Sequence, residues 1–326
     1  MKKRLLSGMR PTGPLHLGNY VGALRNWVTL QEEYECYYPI VDWHALMSEY
    51  KNPSVVRDAI PLVIADWLAC GIDPQKSVVF KQSDVKEHLE LAMFFGNLIS
   101  LSRLYRCPTY KEQLRELKGK EITNYSFLGY PVLQAADILV YRASVVPVGE
   151  DQLPHIELTR EVARDFNSLY KEVFPEPDAI LTPVPRLPGL DGRKMSKSYG
   201  NAVYLGDTDE EIKAKVMIAL TDTKRARKND PGHPDECNLF PYYLAFFKDK
   251  TEELRRDCVS AKLGCVDCKK RLAELLSEFL APIREKRQQV LKEPAYIDEI
   301  LKEGAVKARK TASETMGLVR EAMGLI

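Results

Sequence analysis

Leu5-Leu-Ser-Gly-Met-Arg-Pro-Thr-Gly-Pro-Leu-His-Leu-Gly-Asn19 begins as a short apolar run, turns between Gly8 and Gly13, and enters a helix near Leu17 with one histidine at its mouth. A strand running through a glycine turn into a helix starts an α/β unit, and the free N–H groups of such a helix can face phosphate. Strand-like runs recur from Tyr37 to Val41, Val78 to Phe80 and Val145 to Val148, with longer helical patterns between them. Asn52-Pro53 offers an N-cap and first-turn proline to a helix that Gly71 ends after Trp67 and Leu68. From Asp151 to Tyr170, Ile156, Val162, Ala163, Phe166 and Leu169 fall broadly on one side of a helix. The alternation predicts an α/β fold, a doubly wound, Rossmann-like parallel sheet with helices on both faces.

After about Tyr204 the strand patterns give way to charged helical segments, from Glu210 to Leu220 and from Lys269 to Leu291. The expected division is a catalytic domain over 1–203 and a smaller all-helical domain over 204–303. The last helix, about 304–326, carries Ala305, Ala308, Ala312, Met316, Val319 and Met323 at intervals of three or four, a stripe for packing back on the first domain.

With 326 residues, 45% of them hydrophobic, the chain can bury a substantial core in more than one domain. Its 47 basic and 46 acidic residues leave a net charge of +1. That balance argues against a globally basic, DNA-binding protein and confines any RNA contact to a local patch. No apolar run approaches the ~18 residues of a membrane span. The basic start Met1-Lys-Lys-Arg4 lacks the apolar core and cleavage site of a secretory signal, so a cytoplasmic protein is expected. Of the seven cysteines, Cys36, Cys70 and Cys107 stand among apolar or aromatic neighbours and read as small buried hydrophobes.

Gly192-Arg-Lys-Met-Ser-Lys-Ser198 places two lysines and two serines on a short glycine-flanked loop. Lysines so spaced can hold the β- and γ-phosphates of a nucleotide while hydroxyls and N–H groups fill the gaps. A basic loop of this size can also be a plain solvated loop; the histidine turn near the N-terminus is what favours a shared nucleotide site. Pro175, Pro177, Pro183, Pro185 and Pro188 interrupt regular structure just ahead, as either a movable loop or a static connection would.

His16-Leu-Gly-Asn19 and Lys194-Met-Ser-Lys-Ser198 resemble the two signature motifs of class I aminoacyl-tRNA synthetases, the second letter for letter. Gly8-Met-Arg-Pro-Thr-Gly13, Asn19-Tyr-Val-Gly-Ala-Leu24, Tyr130-Pro131, Ala135-Ala-Asp137 and Val148-Gly-Glu-Asp-Gln152 are similar to the tryptophanyl family within that class, over essentially the full length. The resemblance implies ATP- and Mg2+-dependent activation of L-tryptophan, transfer to tRNA(Trp), a homodimer, and an anticodon-binding role for the helical domain. Such chemistry needs alignment and charge stabilisation, because the substrate carboxylate is itself the nucleophile at the α-phosphorus.

By that resemblance His16, Lys194 and Lys197 are the catalytic set: the histidine donates to a phosphate oxygen and the lysines tighten on departing pyrophosphate. Arg10, Pro11, Thr12, Gly18, Asn19, Gly149, Glu150, Asp151, Met195, Ser196 and Ser198 complete the ATP site. Gly149, Glu150 and Asp151 follow a strand and open a helix, a junction where parallel sheets bind ligands. Acidic residues at that position would equally favour the helix start of a protein with no ligand. Lys111 is either a further phosphate ligand or a solvated surface lysine.

Tyr130, Gln134, Asp137 and Tyr141 recur at about one helical turn and share a face. An aspartate among Ala135, Ala136, Ile138, Leu139 and Val140 must find a partner. The resemblance implies that Asp137 accepts the indole N–H of tryptophan; backbone or Arg142 are the alternatives. His44 and Gln152 match the family's pocket positions. Gln134 departs from the methionine that many members carry, and its amide can alter stacking or reach the substrate's ammonium. It leaves tyrosine as an alternative substrate; a non-catalytic relative that binds RNA or nucleotide is a separate alternative, against which the intact His16, Lys194 and Lys197 argue.

Cys237, Cys258, Cys265 and Cys268 follow the spacing C-x20-C-x6-C-x2-C. Four thiolates ending in a C-x2-C pair suit a tetrahedral zinc or a 4Fe–4S cluster, and the long middle gap is unlike a zinc ribbon. Some bacterial members of the family carry an iron–sulfur cluster in the anticodon-binding domain, with a different first spacer. Arg255, Arg256, Lys262, Lys269, Lys270 and Arg271 form a basic set that can meet an RNA backbone.

Overall fold

Five strands pair side by side, all parallel, in the order β3-β2-β1-β4-β5, with β1 at Arg4–Leu6, β2 at Glu35–Ile40, β3 at Ser77–Lys81, β4 at Val145–Val148 and β5 at Asp178–Leu181. The computed structural model describes residues 2–326 except 109, 112, 113, 115–122, 182–186 and 228, and excludes the side chain of Ser198. Pro183 and Pro185 therefore lie outside the described residues. Leu5 of β1 stands between Cys36 of β2 and Val145 of β4. The chain runs outward in one direction from β1 to β3, then crosses back to β4. This reversal opens a crevice at the carboxyl ends of β1 and β4.

Four strands coincide with the runs expected from sequence; β5 was not foreseen. Its residues are exposed or half-buried and follow Pro175 and Pro177, so neither alternation nor a solid apolar run marks it. An edge strand needs only one ladder, and the Asp178 N–H donates to Ser144 O at 2.8 Å to start it.

Successive residues on each strand enter opposite apolar layers, as a pleated sheet requires. Leu5, Tyr38, Val79 and Val145 pack with Trp27 and Trp67 and with Leu272, Leu276 and Leu280 of the C-terminal half. Leu6, Tyr37, Phe80 and Val146 pack with Ile138, Phe166, Ala308, Ala312 and Met316. Trp27 stacks on Tyr38 at 4.6 Å and meets Trp67 edge-on at 5.1 Å. Burying such rings contributes roughly 1.5–3 kcal/mol each before packing is counted.

Helix Ser54–Cys70 takes Pro53 as its N-cap and stops at Gly71, whose φ of 108° is the left-handed conformation that ends helices. Helix Leu153–Leu169 follows a short 3-10 turn at Glu150–Gln152. Beyond Leu181 the described residues contain no strand, only helices, chiefly Asp209–Met217, Phe240–Phe246, Thr251–Val259, Cys265–Leu291 and Pro294–Ala322. The long helix begins at Cys265, four residues ahead of the expected start, so two of the clustered cysteines occupy its first turn. Helix Pro294–Ala322 lies against β3, with Ala305, Ala308, Ala312, Met316 and Val319 buried and Met323 partly so. Cys36 and Cys107 are buried as expected, while Cys70 is half-buried against the first layer. No helix among the described residues is long and apolar enough to cross a membrane.

Candidate active site

The histidine turn and the lysine loop meet. His16 bridges Tyr204 just beyond the loop, the Leu17 N–H donates to Val203 O at 2.9 Å, and the Leu205 N–H donates to Leu15 O at 2.9 Å. Lys197 Nζ donates to Gly13 O at 2.8 Å, and the Gly18 N–H points at Met195 Sδ at 3.3 Å. A Cβ on Gly18 would stand 3.0 Å from the His16 ring, so glycine there admits the close packing of ring and methionine.

The helix that His16 caps runs on from Leu17–Asn19 through a π-helical stretch, Tyr20–Leu24, into Arg25–Glu33. His16 Nδ1 accepts the Asn19 N–H at 3.3 Å while Asn19 Oδ1 accepts the His16 N–H at 3.1 Å. This reciprocal cap leaves His16 Nε2 to carry the ring proton and donate. Burial lowers the His16 pKa to about 4, with the Lys197 charge adding to the effect, so the ring is neutral at physiological pH. Asn19, expected to reach ribose or phosphate, uses its amide oxygen on the cap.

Burial also brings Lys197 down to about 8, against the opposing pull of Asp66. The loop is held from beneath by Asn201, a residue sequence reasoning missed. Its Oδ1 accepts the Ser196 N–H at 2.9 Å, and its Nδ2 donates to Lys194 O at 3.1 Å and Asp191 Oδ1 at 2.7 Å. Lys194 is exposed and Met195 buried.

A cavity of about 350 Å³ opens at the carboxyl ends of β1 and β4. Arg10, His44, Tyr130, Gln134, Asp137, Gly149 and Gln152 line it, together with Ser7, Gly8, Val41, Val146 and Val148. All five residues expected for the amino-acid pocket therefore share one space. Glu150 and Asp151 are exposed beside its rim, while Pro11 is buried and Thr12 half-buried in the turn that leads to His16. Lys111 is exposed and is not among the lining residues.

Asp137 is buried and ionised. His44 Nε2 reaches its Oδ2 at 2.7 Å, while His88 Nδ1 at 2.6 Å and Gln82 Nε2 at 2.8 Å both reach Oδ1. Burial works to raise its pKa, but His44 and His88 outweigh burial and hold it at about 2. Among the described residues, neither the backbone nor Arg142 partners its carboxylate; Arg142 is exposed, with φ of 50°. Sequence reasoning missed Gln82 and His88. The available signal was their position directly after β3, at the same sheet edge as the other site residues. Tyr141 points away from the cavity, stacked on Tyr37 at 4.5 Å and bonded to His88 Nε2 at 2.7 Å.

The four clustered cysteines come from separate elements: Cys237 after the turn Pro234–Glu236, Cys258 near the end of Thr251–Val259, and Cys265 and Cys268 at the start of the long helix. Their thiols are close enough to act on one another electrostatically. Among the described residues, no three His, Cys, Asp or Glu side chains converge tightly enough to hold a single metal ion. Much of the nearby basic set is paired with acids: Arg255 with Asp235 at 2.6 Å, Arg271 with Glu253 at 3.5 Å and Lys270 with Asp267 at 3.9 Å.

Residues 1–281 match the family described as tRNA synthetases class I (W and Y). A tryptophan–tRNA ligase of Thermotoga maritima is 52% identical, with 99% of each chain covered. One from Aquifex aeolicus is 46% identical over 99% of this chain and 100% of its own. Among solved structures, tryptophanyl-tRNA synthetase from Campylobacter jejuni, complexed with ADP and tryptophan, superposes with a TM-score of 0.88 at 35% identity, covering 98% of this chain and 99% of that one. With the histidine turn and the lysine loop in contact and these relatives matched end to end, the chain belongs to the class I tRNA synthetases of the tryptophan and tyrosine family.

Proposed function

We infer that this protein activates L-tryptophan with ATP and transfers it to tRNA(Trp), the reaction of a class I tryptophan–tRNA ligase. One observation carries the reading: Arg10 lines the cavity that holds Asp137 and also acts electrostatically on Lys197, which bonds the histidine turn at Gly13 O. A tryptophan carboxylate oxygen attacks the α-phosphorus of ATP, the bond to the bridging oxygen breaks, and pyrophosphate leaves. A terminal ribose hydroxyl of the tRNA then attacks the activated carbonyl and expels AMP.

In this reading His16 Nε2–H and the Lys194 and Lys197 ammonium groups stabilise charge on the phosphates, most strongly as pyrophosphate departs. Arg10, Pro11, Thr12, Gly18, Asn19, Gly149, Glu150, Asp151, Met195, Ser196 and Ser198 surround the nucleotide, and Mg2+ accompanies its phosphates. Asp137 accepts the indole N–H, with Tyr130, Gln134, His44 and Gln152 around the substrate. Pyrophosphate exchange tests the assignment: it should depend on tryptophan and not on tyrosine. Tyrosine-dependent exchange without tryptophan dependence would overturn it.

We assign residues 1–203, with 304–326 packed back on them, to the catalytic domain, and the helical 204–303 to anticodon binding. The four cysteines fit a 4Fe–4S cluster better than zinc. The donor set is four thiols, and the x6 gap ahead of the closing C-x2-C pair is less typical of a zinc ribbon, which uses two close pairs. The cluster would be structural. A brown protein with about four irons per chain supports it, and colourless protein holding one zinc refutes it.

The family's homodimer is supported by an apolar surface hollow beside the site, where Tyr50, Leu89 and Tyr125 are 46%, 46% and 80% exposed. Light scattering should give twice the chain mass. The tRNA and ATP that the reaction consumes suit a cytoplasmic location.

A further inference from the structure

The carboxylate of Asp137 divides its two oxygens between two environments. Oδ1 faces the core, where it accepts from Gln82 Nε2 at 2.8 Å and His88 Nδ1 at 2.6 Å, and both of those side chains are 0% exposed. Oδ2 is met, among the described residues, by His44 alone, and both His44 and Asp137 line the cavity. Each carboxylate oxygen accepts about two hydrogen bonds. Oδ1 is therefore filled, and Oδ2 has room for one more donor.

We propose that His88, with Gln82, is a specificity-determining positioning residue, which saturates the core-facing oxygen of Asp137 and presents a single acceptor position to the amino acid. The proposal rests on the tryptophan reading of this site and deepens it. His88 touches no substrate, because it does not line the cavity. Its own orientation is set from behind: Nε2 meets the Tyr141 hydroxyl at 2.7 Å, and Tyr141 is stacked on Tyr37. Burial raises the Tyr141 pKa well above its usual value, which keeps the hydroxyl protonated and able to donate to Nε2. The ring proton then belongs on Nδ1, facing an acceptor-only carboxylate. The Tyr37 ring that backs Tyr141 is itself held at its hydroxyl, which meets Thr311 Oγ1 at 3.0 Å and donates to Glu35 Oε1 at 2.8 Å.

Such an arrangement discriminates by donor count. A side chain offering one N–H in the plane of the ring completes the carboxylate, whereas an isostere without it leaves a desolvated acceptor unmet. Without His88 the carboxylate can turn, Oδ1 gains a vacant position, and both the direction and the uniqueness of the acceptor are lost.

The test uses the full-length protein and pyrophosphate exchange, with tryptophan and with the analogue whose ring N–H is replaced by sulfur, 3-benzothienylalanine. His88→Phe should raise the KM for tryptophan about 10- to 100-fold and reduce the preference for tryptophan over the sulfur analogue by a similar factor. The KM for ATP should stay within about twofold, because the adenylate corner is untouched. His88→Asn, whose amide can replace Nδ1–H, should recover most of the preference. Tyr141→Phe, which keeps the ring packing and removes only the hydroxyl, should lose about 3- to 10-fold of it. This milder variant provides the reading if His88→Phe does not fold. Unchanged preference in folded His88→Phe, or in Tyr141→Phe if His88→Phe does not fold, would overturn the proposal, as would equal increases in KM for ATP and tryptophan. Failure of the wild-type protein to activate tryptophan would instead refute the tryptophan reading itself.

Discussion

Arg287 Nε lies 2.6 Å from Asp66 Oδ1, and the other oxygen of that carboxylate accepts the Leu15 N–H at 2.9 Å. One buried aspartate thus ties the long helix that begins at Cys265 to the residue immediately before His16. Asp66 is 0% exposed, so neither bond is exchanged cheaply for water, and its charge also pulls on Lys197. The helical half of the chain is anchored beside the turn that leads to His16 through this contact.

Removing one partner should expose the cost. Arg287→Met leaves a buried carboxylate without its cation and should lower unfolding free energy in urea by about 3–5 kcal/mol. Adding Asp66→Asn should restore part of that loss, because the uncompensated charge disappears. A single variant as stable as wild type would mean that the pair contributes nothing.

Lys197 gives the pH dependence of ATP use a definite direction. Its pKa is lowered by burial to about 8 in the free protein, so the ammonium is present below that pH and lost above it. The kcat/KM for ATP in tryptophan-dependent exchange should fall by about tenfold per pH unit on the alkaline side. Lys197→Arg should move the fall to higher pH, since a guanidinium keeps its proton. A flat profile through pH 9 or so in the wild type would contradict the assignment.

His16 should behave as a neutral donor. With its pKa near 4 through burial and the Lys197 charge, no acid limb from this ring should appear between roughly pH 5 and 7. His16→Ala should slow adenylate formation by about 10²- to 10³-fold, the scale for losing one such donor, while tryptophan binding measured by calorimetry stays near wild type. Loss of tryptophan affinity by the same factor would argue for a structural histidine.

Gly304 offers a test of packing away from the chemistry. A Cβ there would overlap the Val79 carbonyl of β3, so Gly304→Ala must push the C-terminal helix off the sheet. A loss of roughly 3 kcal/mol is expected in thermal or urea unfolding, with activity of the folded fraction retained. An alanine variant melting with the wild type would show that the helix seats less closely than described.

Much of the fold was legible because its signals are local. The turn after Leu6, the stop at Gly71 and the alternation of strands with helices each depend on neighbours a few residues away. β5 was hidden because Asp178–Leu181 is an edge strand with no fully buried residue. For the site, composition marked Asp137 as a carboxylate in need of partners but could not name them. His44 lies 93 residues away and His88 lies 49 away. The cysteine spacing likewise identified a cluster of thiols without fixing how closely they approach.

By itself, then, the chain's order of residues determined the parallel α/β architecture, the histidine turn, the lysine loop and the family to which they belong. Only the tertiary structure decided that Asn201 supports the loop, that Asp66 links two halves of the protein, and that Asp137 keeps one acceptor position for the cavity. The physical reason is range. Periodicity and capping act over one or two helical turns, whereas the partner of a buried charge is chosen by which distant segments the packed sheet brings within about 3 Å.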